Sequence, residues 1–438
     1  MKHKIIAPLL ACIALLCGCN KNNSLTSGTT SIIGEESRGA QQFADFVGEY
    51  PENPISVLTL SEDEIRQAIN AQSNFSCTEN LWVNIPESAS VYEFNTYGVH
   101  VPQFDYPAAQ YKKDFEALFS YLFPGREIDP NCLKYSKYLG YDYEKQDYIF
   151  DEGYVRDNEK LPDGVNFIYD GDVYLETNSE IGVGSGLVNK GEAAKIAFND
   201  APDTLSYFEP GDYFESVGIY SPQSEKSFPL LDGEMRICDA VAFFEDYVNN
   251  APISTGLQRN IRTRVYNVEV LKVNDKYGYY FTTVAEFRGV GYEPVIYGTV
   301  SEYSYDPTRG EAFMIRRGDI DYIHCFYGSE WTFDVKPRGE IVPVETAIKN
   351  ISGKLTAAVT FDVISIEFVY VRQFVKDEQG HINIDTYEAK ITPAWRITAG
   401  NSNDNHTYMC YVDAVDGDNF RFYTTPGIVS FSRSAEDA

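Results

Sequence analysis

Residues 343–373 read PVETAIKNISGKLTAAVTFDVISIEFVYVRQ, and the period of their apolar side chains changes once. Val344, Ala347, Ile348, Ile351 and Leu355 fall at offsets 0, 3, 4, 7 and 11, the stripe of an amphipathic helix near 343–357. From Phe361 to Gln373 the pattern has the period of two that a strand shows, and Tyr387–Ile397 and Thr407–Val415 repeat it. One helix followed by a three-strand meander predicts an α+β unit. The helix covers one face of an antiparallel sheet and leaves the other for solvent or a partner.

The same order occurs earlier in the chain. A helix near 236–249 places Ile237, Ala240, Val241, Phe244 and Val248 at the same offsets, and strands follow at Val265–Val273, Gly278–Phe287 and Tyr292–Val300. Shared offsets alone say little, because any amphipathic helix can show them. The shared order of helix and meander points to a duplication.

The last unit carries a resemblance. Ile391-Thr392-Pro393-Ala394-Trp395-Arg396-Ile397, a polar turn, then Tyr411-Val412-Asp413-Ala414-Val415-Asp416-Gly417 resembles the closing strands of PepSY-type domains. It is also similar to those of the YycH/YycI regulatory proteins. In that pattern a Pro-x-Trp strand pairs with one ending in Asp-Ala-x-x-Gly, and the glycine makes the turn. Asp416 stands where Thr is frequent. The likeness covers residues 341–425, and the whole chain resembles a group of surface lipoproteins of Gram-positive gut bacteria. It implies regulatory or inhibitory binding at the envelope, by analogy of fold. The Yyc proteins hold to the membrane by a helix, which this sequence replaces with a lipid site, so contacts made through that helix do not carry over.

That lipid site lies in the leader. Lys2 and Lys4 precede the apolar run Ile5–Cys17, which is too short for a span of about 20 residues but suits a secretory signal. It ends in Leu16-Cys17-Gly18-Cys19, which resembles a bacterial lipobox and implies cleavage after residue 18 with diacylglycerol on the Cys19 sulfur. An ordinary signal peptide that happens to contain cysteine is the alternative. The Asn-, Ser-, Thr- and Gly-rich stretch after Cys19 opposes it, because that is the composition of a tether. The expected location is the extracytoplasmic face of the cell membrane.

The expected division is a signal at 1–18, a lipidated tether at 19–40, an acidic Tyr-rich α+β domain at 41–228, helix-plus-meander units at 229–338 and 339–426, and a tail at 427–438. The charge is uneven. Against a total of −29, residues 35–230 carry −22 and residues 231–438 carry −10. So acidic a chain lacks the basic footprint that nucleic acid requires. Within the acidic region, Ser61 and Glu64 fit a capping box ahead of Ile65, Ala68 and Ile69. Pro107 opens a helix that runs to Leu122, and Asn166–Tyr169 reads as a strand before an Asp170-Gly171 turn.

Candidate sites are few. Tyr135, Tyr138, Tyr141, Tyr143, Tyr148 and Tyr154 offer flat faces with polar tips for a sugar or a protein, though tyrosines of this kind also serve as half-buried packing. Asp413, Asp416 and Asp418 have the oxygens for Ca²⁺ but not the loop spacing, and read more simply as a turn. Gly182–Gly186 lacks the lysine of a phosphate loop, and Ser185 lacks the glycine at 183 that a nucleophile elbow needs. His100, His324, His381 and His406 show no metal-binding spacing. Cys77, Cys132, Cys238, Cys325 and Cys410 are odd in number and widely spaced, which favours single buried thiols over a disulfide framework.

No motif calls for a cofactor, a metal or a reaction. The expectation is a non-catalytic, membrane-anchored lipoprotein that binds an envelope protein, such as a sensor or protease. The alternative is a lipoprotein that binds or processes surface glycan, since carboxylate pairs for glycoside hydrolysis are available anywhere in so acidic a chain.

Overall fold

The computed structural model describes residues 53–97, 108–142, 147–156, 160–162, 165–177, 185–189, 215–252, 261–273, 276–293, 309–326, 331–356, 358–375, 388–401 and 406–426. The leader, Cys19 and the tether lie outside them. The fold is mixed α+β, mostly strands, with four helices among the described residues.

The chain enters through β1 (Ile55–Ser56) and α1 (Glu62–Asn70), then β2 (Phe75–Asn84), β3 (Ser88–Ala89) and β4 (Val91–Tyr97). The capping box read from Ser61 and Glu64 is present. Ser61 N–H donates to Glu64 Oε2 at 2.8 Å, and Glu64 N–H donates to Ser61 Oγ at 3.4 Å. Helix α2 (Ala108–Leu122) begins one residue after Pro107, and β5 (Leu133–Asp142), β6 (Asp147–Tyr154), β7 (Asn166–Asp170), β8 (Tyr174–Thr177) and β9 (Ser185–Asn189) follow. Next come β10 (Glu215–Tyr220), β11 (Ser227–Leu230), β12 (Gly233–Arg236), α3 (Ile237–Asn249), β13 (Ile261–Val273), β14 (Lys276–Phe287), β15 (Val290–Gly291), β16 (Arg309–Met314) and β17 (Tyr322–Phe326). The strand expected at 292–300 falls mostly outside the described residues. The last part is β18 (Trp331–Arg338), α4 (Val344–Lys354), β19 (Phe361–Phe374), β20 (Ala389–Asn401), β21 (His406–Asp413) and β22 (Phe420–Pro426).

Two sheets organise these elements. An eleven-stranded sheet joins β5–β10 to β13–β17, and its apolar face packs α2 and α3 in one core. A seven-stranded sheet runs β18-β4-β20-β19-β2, with β21 and β22 continuing beyond β20. Its helix-facing side packs α1 and α4 in a second core. Both read stripes are buried: Ile237, Ala240, Val241, Phe244 and Val248 on α3, and Val344, Ala347, Ile348 and Ile351 on α4. Full burial of each large aliphatic or aromatic among them is worth roughly 1.5–3 kcal/mol.

Strand pairing does not follow sequence order. The stretch expected as one acidic domain is divided between the sheets. β2 runs parallel to β19, with Phe75 beside Phe361 and Asn84 beside Glu367, and β4 pairs with both β18 and β20. A parallel pair requires a long crossover, and here most of the chain lies between its strands. Asn74 secures the joint. Its Nδ2 donates to the Ser352 carbonyl at 3.0 Å near the end of α4, and Ser352 Oγ donates back to Asn74 Oδ1 at 2.5 Å.

The second face of the C-terminal sheet is not left open. Ser365, Glu367, Val369, Ala394, Arg396, Thr398, Met409 and Tyr411 lie on the side away from α4, and all are buried. Part of the cover comes from the other sheet, where Tyr266 of β13 and Val284 of β14 pack against Trp82. The β14–β15 hairpin turns at Arg288 (φ 54°) and Gly289 (φ 91°), both left-handed as such a tight turn requires. It delivers Phe287, Val290 and Tyr292 into the second core.

Candidate functional site

The polar groups that the fold brings together lie on this covered face. β20 presents Arg396 and β19 presents Glu367, opposite one another in the ladder and both with 0% exposure. Arg396 Nε donates to Glu367 Oε2 at 2.7 Å, and Nη2 also bonds that oxygen. Ser365 Oγ donates to the same carboxylate at 3.2 Å, and Asn84 Nδ2 reaches Oε1 at 3.3 Å. Arg396 Nη2 crosses to the other sheet and donates to the Tyr266 hydroxyl at 2.7 Å. Burial works against the Arg396 charge, but Glu367 and the tyrosines outweigh it and hold the guanidinium well above its ordinary pKa.

A second carboxylate enters from the hairpin. Glu293 N–H donates to the Tyr370 carbonyl at 2.9 Å, where Tyr292 bridges Tyr370 in parallel register on β19. The Glu293 carboxyl is hydrogen-bonded by Tyr411 and feels the charges of Arg396, Arg372 and Arg421. Burial pushes its pKa up, and Arg396, the Tyr411 bond and the other two arginines pull against that. Two further carboxylates are raised by burial. Glu176 accepts from the Tyr174 hydroxyl at 2.6 Å, and Glu245 accepts from the Val265 N–H at 2.7 Å.

No family model matches the chain, and no curated protein matches it. A solved structure that resembles it is the Bacillus megaterium YpeB C-terminal domain, at 9% identity and a TM-score of 0.28 over 72% of this chain and 97% of that one. At that level the site has to be read from its own geometry.

Two cavities are relevant. A shallow groove of about 580 Å³ lies beside β1 and β3 and is lined by Ile55, Leu58, Leu60 and Glu87. A crevice of about 10 Å³ lies between the sheets, lined by Asn84, Arg264, Tyr266, Tyr292 and Phe368. Glu176, Glu245 and Glu293 line neither of them.

The residues read from sequence fall elsewhere. Tyr135 and Tyr154 lie on opposite faces of the β5–β6 hairpin. Tyr135 is half-buried across from Gly153, whereas Tyr154 is 52% exposed across from Lys134, whose Nζ lies 5.8 Å from its ring centroid. Tyr138 pairs in register with Phe150 and Tyr141 with Tyr148, while Tyr143 lies outside the described residues. Asp413 Oδ1 accepts from Val415 N–H at 2.7 Å, and Asp416 Oδ1 accepts from Asp418 N–H at 2.9 Å. These oxygens are engaged in closing the β21–β22 turn. Among the described residues no group of three or more His, Cys, Asp or Glu is placed to hold a metal. Ser185 and Gly186 open β9, while Gly182, Gly184, His100 and His381 lie outside the described residues. Cys77, Cys132 and Cys238 are half-buried free thiols and Cys410 is a buried one.

Sequence reasoning missed Arg396, Glu367, Tyr266 and Glu293. The available signal was an Arg in the middle of Thr392–Ala399 and a Glu in the middle of Ile364–Val371, two charges placed inside otherwise uncharged stretches.

Proposed function

We propose that the chain is a non-catalytic lipoprotein, anchored through Cys19 on the extracytoplasmic face of the cell membrane, that binds an envelope protein and regulates a sensor or protease. The observation that carries the reading is the edge of the C-terminal sheet. Among the described residues β22 pairs with β21 alone, and Phe422 and Tyr423 on it are 43% and 37% exposed. An open edge offers backbone donors and acceptors to an extended segment of a partner, and aromatics on both faces offer grip. The likeness of residues 341–425 to regulatory domains agrees with this.

The test is capture of the partner from membranes of cells that express the protein. Phe422→Asp with Tyr423→Asp is expected to abolish capture without altering the circular dichroism spectrum. Cys19→Ser is expected to release the protein in a carbonate wash. Capture undiminished by the edge variants would reject the edge as the binding surface.

The glycan reading keeps one specific observation in its favour, the exposed Tyr154 with a lysine over its ring. On that reading Tyr135→Ala with Tyr154→Ala abolishes retention on cell-wall glycan. On the first reading the same pair leaves partner capture intact.

A further inference from the structure

The bonding phase of β22 follows from the hairpin that makes it. Asp413 N–H donates to the Asn419 carbonyl at 3.1 Å, and next to it Ala414 N–H donates the other way, to the Pro393 carbonyl at 3.0 Å. Bonded positions alternate along an antiparallel ladder. Arg421 and Tyr423 therefore spend their N–H and C=O groups on Tyr411 and Met409 of β21. Phe420, Phe422 and Thr424 turn theirs outward, where among the described residues no strand meets them.

This edge is also straight. The ladders that hold β2, β6, β10 and β18 at the other ends of the two sheets each contain a register shift. β18 adds a left-handed Asp334 (φ 51°) and Pro337. β21 and β22 pair at seven positions without a shift. Natural sheets commonly break or charge an edge they do not use, and β22 carries one charge, Arg421.

The outward positions are symmetric about Phe422, and so are the side chains. If a second β22 runs antiparallel with Phe422 opposite Phe422, then Phe420 of each copy meets Thr424 of the other. Every outward N–H and C=O of these residues is then paired. On the α4 side the two Phe422 rings meet, each beside the Tyr408 ring of its own chain at 5.6 Å. On the opposite side Arg421 falls across from Tyr423 of the second copy, and Tyr423 across from Arg421. These are non-bonded pairs, whose Cα atoms approach to about 4.5 Å, and a cation over an aromatic face is attractive. Moving the centre by one residue sets Arg421 against Arg421 or Tyr423 against Tyr423, and loses both mixed pairs.

We infer that β22 is a homodimerisation edge, which joins the C-terminal sheets of two copies in antiparallel register centred on Phe422. Two chains of formal charge −29 repel one another, but salt screens exposed charges beyond about 8 Å at physiological ionic strength. The contact is a single strand on each side, so the dimer is weak and strengthens with salt. A partner strand and a second copy compete for this edge. That competition rests on the function proposed above, whereas the dimer does not.

The test uses the purified full chain without its leader and with Cys19→Ser, so that no other protein is present and its outcome is independent of partner capture. Chains carrying Arg421→Cys or Tyr423→Cys are oxidised separately and as a mixture, against the chain with native cysteines alone. In the inferred register positions 421 and 423 of opposite copies face one another within disulfide reach. Like positions lie about 7–8 Å apart on the diagonal. The mixture retains one Arg421–Tyr423 pair and should give at least ~fivefold more disulfide dimer than either variant alone. Sedimentation equilibrium of the chain with neither added cysteine should show a dimer that tightens with salt. Thr424→Pro removes an outward N–H and no bond to β21, so it should weaken that dimer at least ~tenfold without moving the unfolding midpoint. A mixture that cross-links no better than the single variants would overturn the register. A chain that stays monomeric and forms no added disulfide would overturn the dimer.

Discussion

Arg396 on β20 donates through Nη2 to the hydroxyl of Tyr266 on β13, 2.7 Å away, and thereby joins the two sheets with one buried bond. The same guanidinium is neutralised within its own sheet by Glu367. One side chain therefore completes the C-terminal sheet and docks it on the other. Buried ion pairs seldom add net stability over a well-packed apolar replacement, but losing one partner is costly.

Arg396→Met should destabilise the protein by about 3–5 kcal/mol, because Glu367 is left buried without its partner. Arg396→Met with Glu367→Leu should recover much of that loss. Tyr266→Phe removes only the bridging bond and should cost about 1.5–3 kcal/mol, the range for a hydrogen bond to a charged group. Urea unfolding of the four chains measures all three values.

Gly417 tests the last turn. Its φ is +73°, its N–H donates to Asp413 O at 2.9 Å, and an added Cβ would meet Asn350 Nδ2 at 3.1 Å. Gly417→Ala should therefore destabilise by about 1–2 kcal/mol from the left-handed backbone alone. Asn350→Ala removes the neighbour but not the backbone strain, so the double variant should remain destabilised. Unfolding midpoints of the three variants decide this.

The raised carboxylates give a pH dependence with a definite sign. Glu176, Glu245 and Glu293 sit above the ordinary carboxylate value in the folded state, so between that value and the raised one the folded chain binds more protons than the unfolded chain. Their contribution is therefore fully present below the ordinary value and is lost as pH rises through the raised ones. Glu64, Asp129 and Asp239 are held low and act oppositely, their contribution being lost as pH falls below the ordinary range. Glu293→Gln should flatten the fall on the neutral side. Denaturant midpoints measured across pH 3–8 would show no such change if Glu293 titrates normally.

The thiols should react in two classes. Burial pushes Cys410 up to about 12, so it holds little thiolate at neutral pH. Cys77, Cys132 and Cys238 are raised as well, but they are half-buried and reachable. Iodoacetamide on the native protein should modify these three first and Cys410 only after unfolding, as read by peptide mass spectrometry.

Much of the C-terminal unit was legible. Strands read at 361–373, 387–397 and 407–415 are Phe361–Phe374, Ala389–Asn401 and His406–Asp413, and Trp395 pairs with Val412 as the Pro-x-Trp pattern implies. Local alternation, a capping box and a turn glycine act over a few residues, so sequence displays them directly. The parallel pairing of β2 with β19 was not legible, because no local pattern encodes a crossover of that length. Arg396 and Glu367 were missed for another reason. Thr392, Arg396 and Thr398 alternate with apolar residues, which reads as a solvated face, and the sequence does not reveal that a second sheet lies against it. Strand alternation sends Tyr135 and Tyr154 to opposite faces of the β5–β6 hairpin, which their closeness in sequence does not display.

The most direct measurement of the central claim is in-cell photo-cross-linking of the lipidated protein, with the photoreactive residue placed at Phe422 and, as a control, at Ile149 on the β6 edge of the other sheet. Products would be identified by mass spectrometry, and the cell-wall glycan fraction would be assayed in parallel. The account predicts one envelope protein, captured in near-stoichiometric yield from position 422 and absent from position 149. Retention on glycan with no protein adduct at 422 would contradict it and move the binding surface to the Tyr154 face.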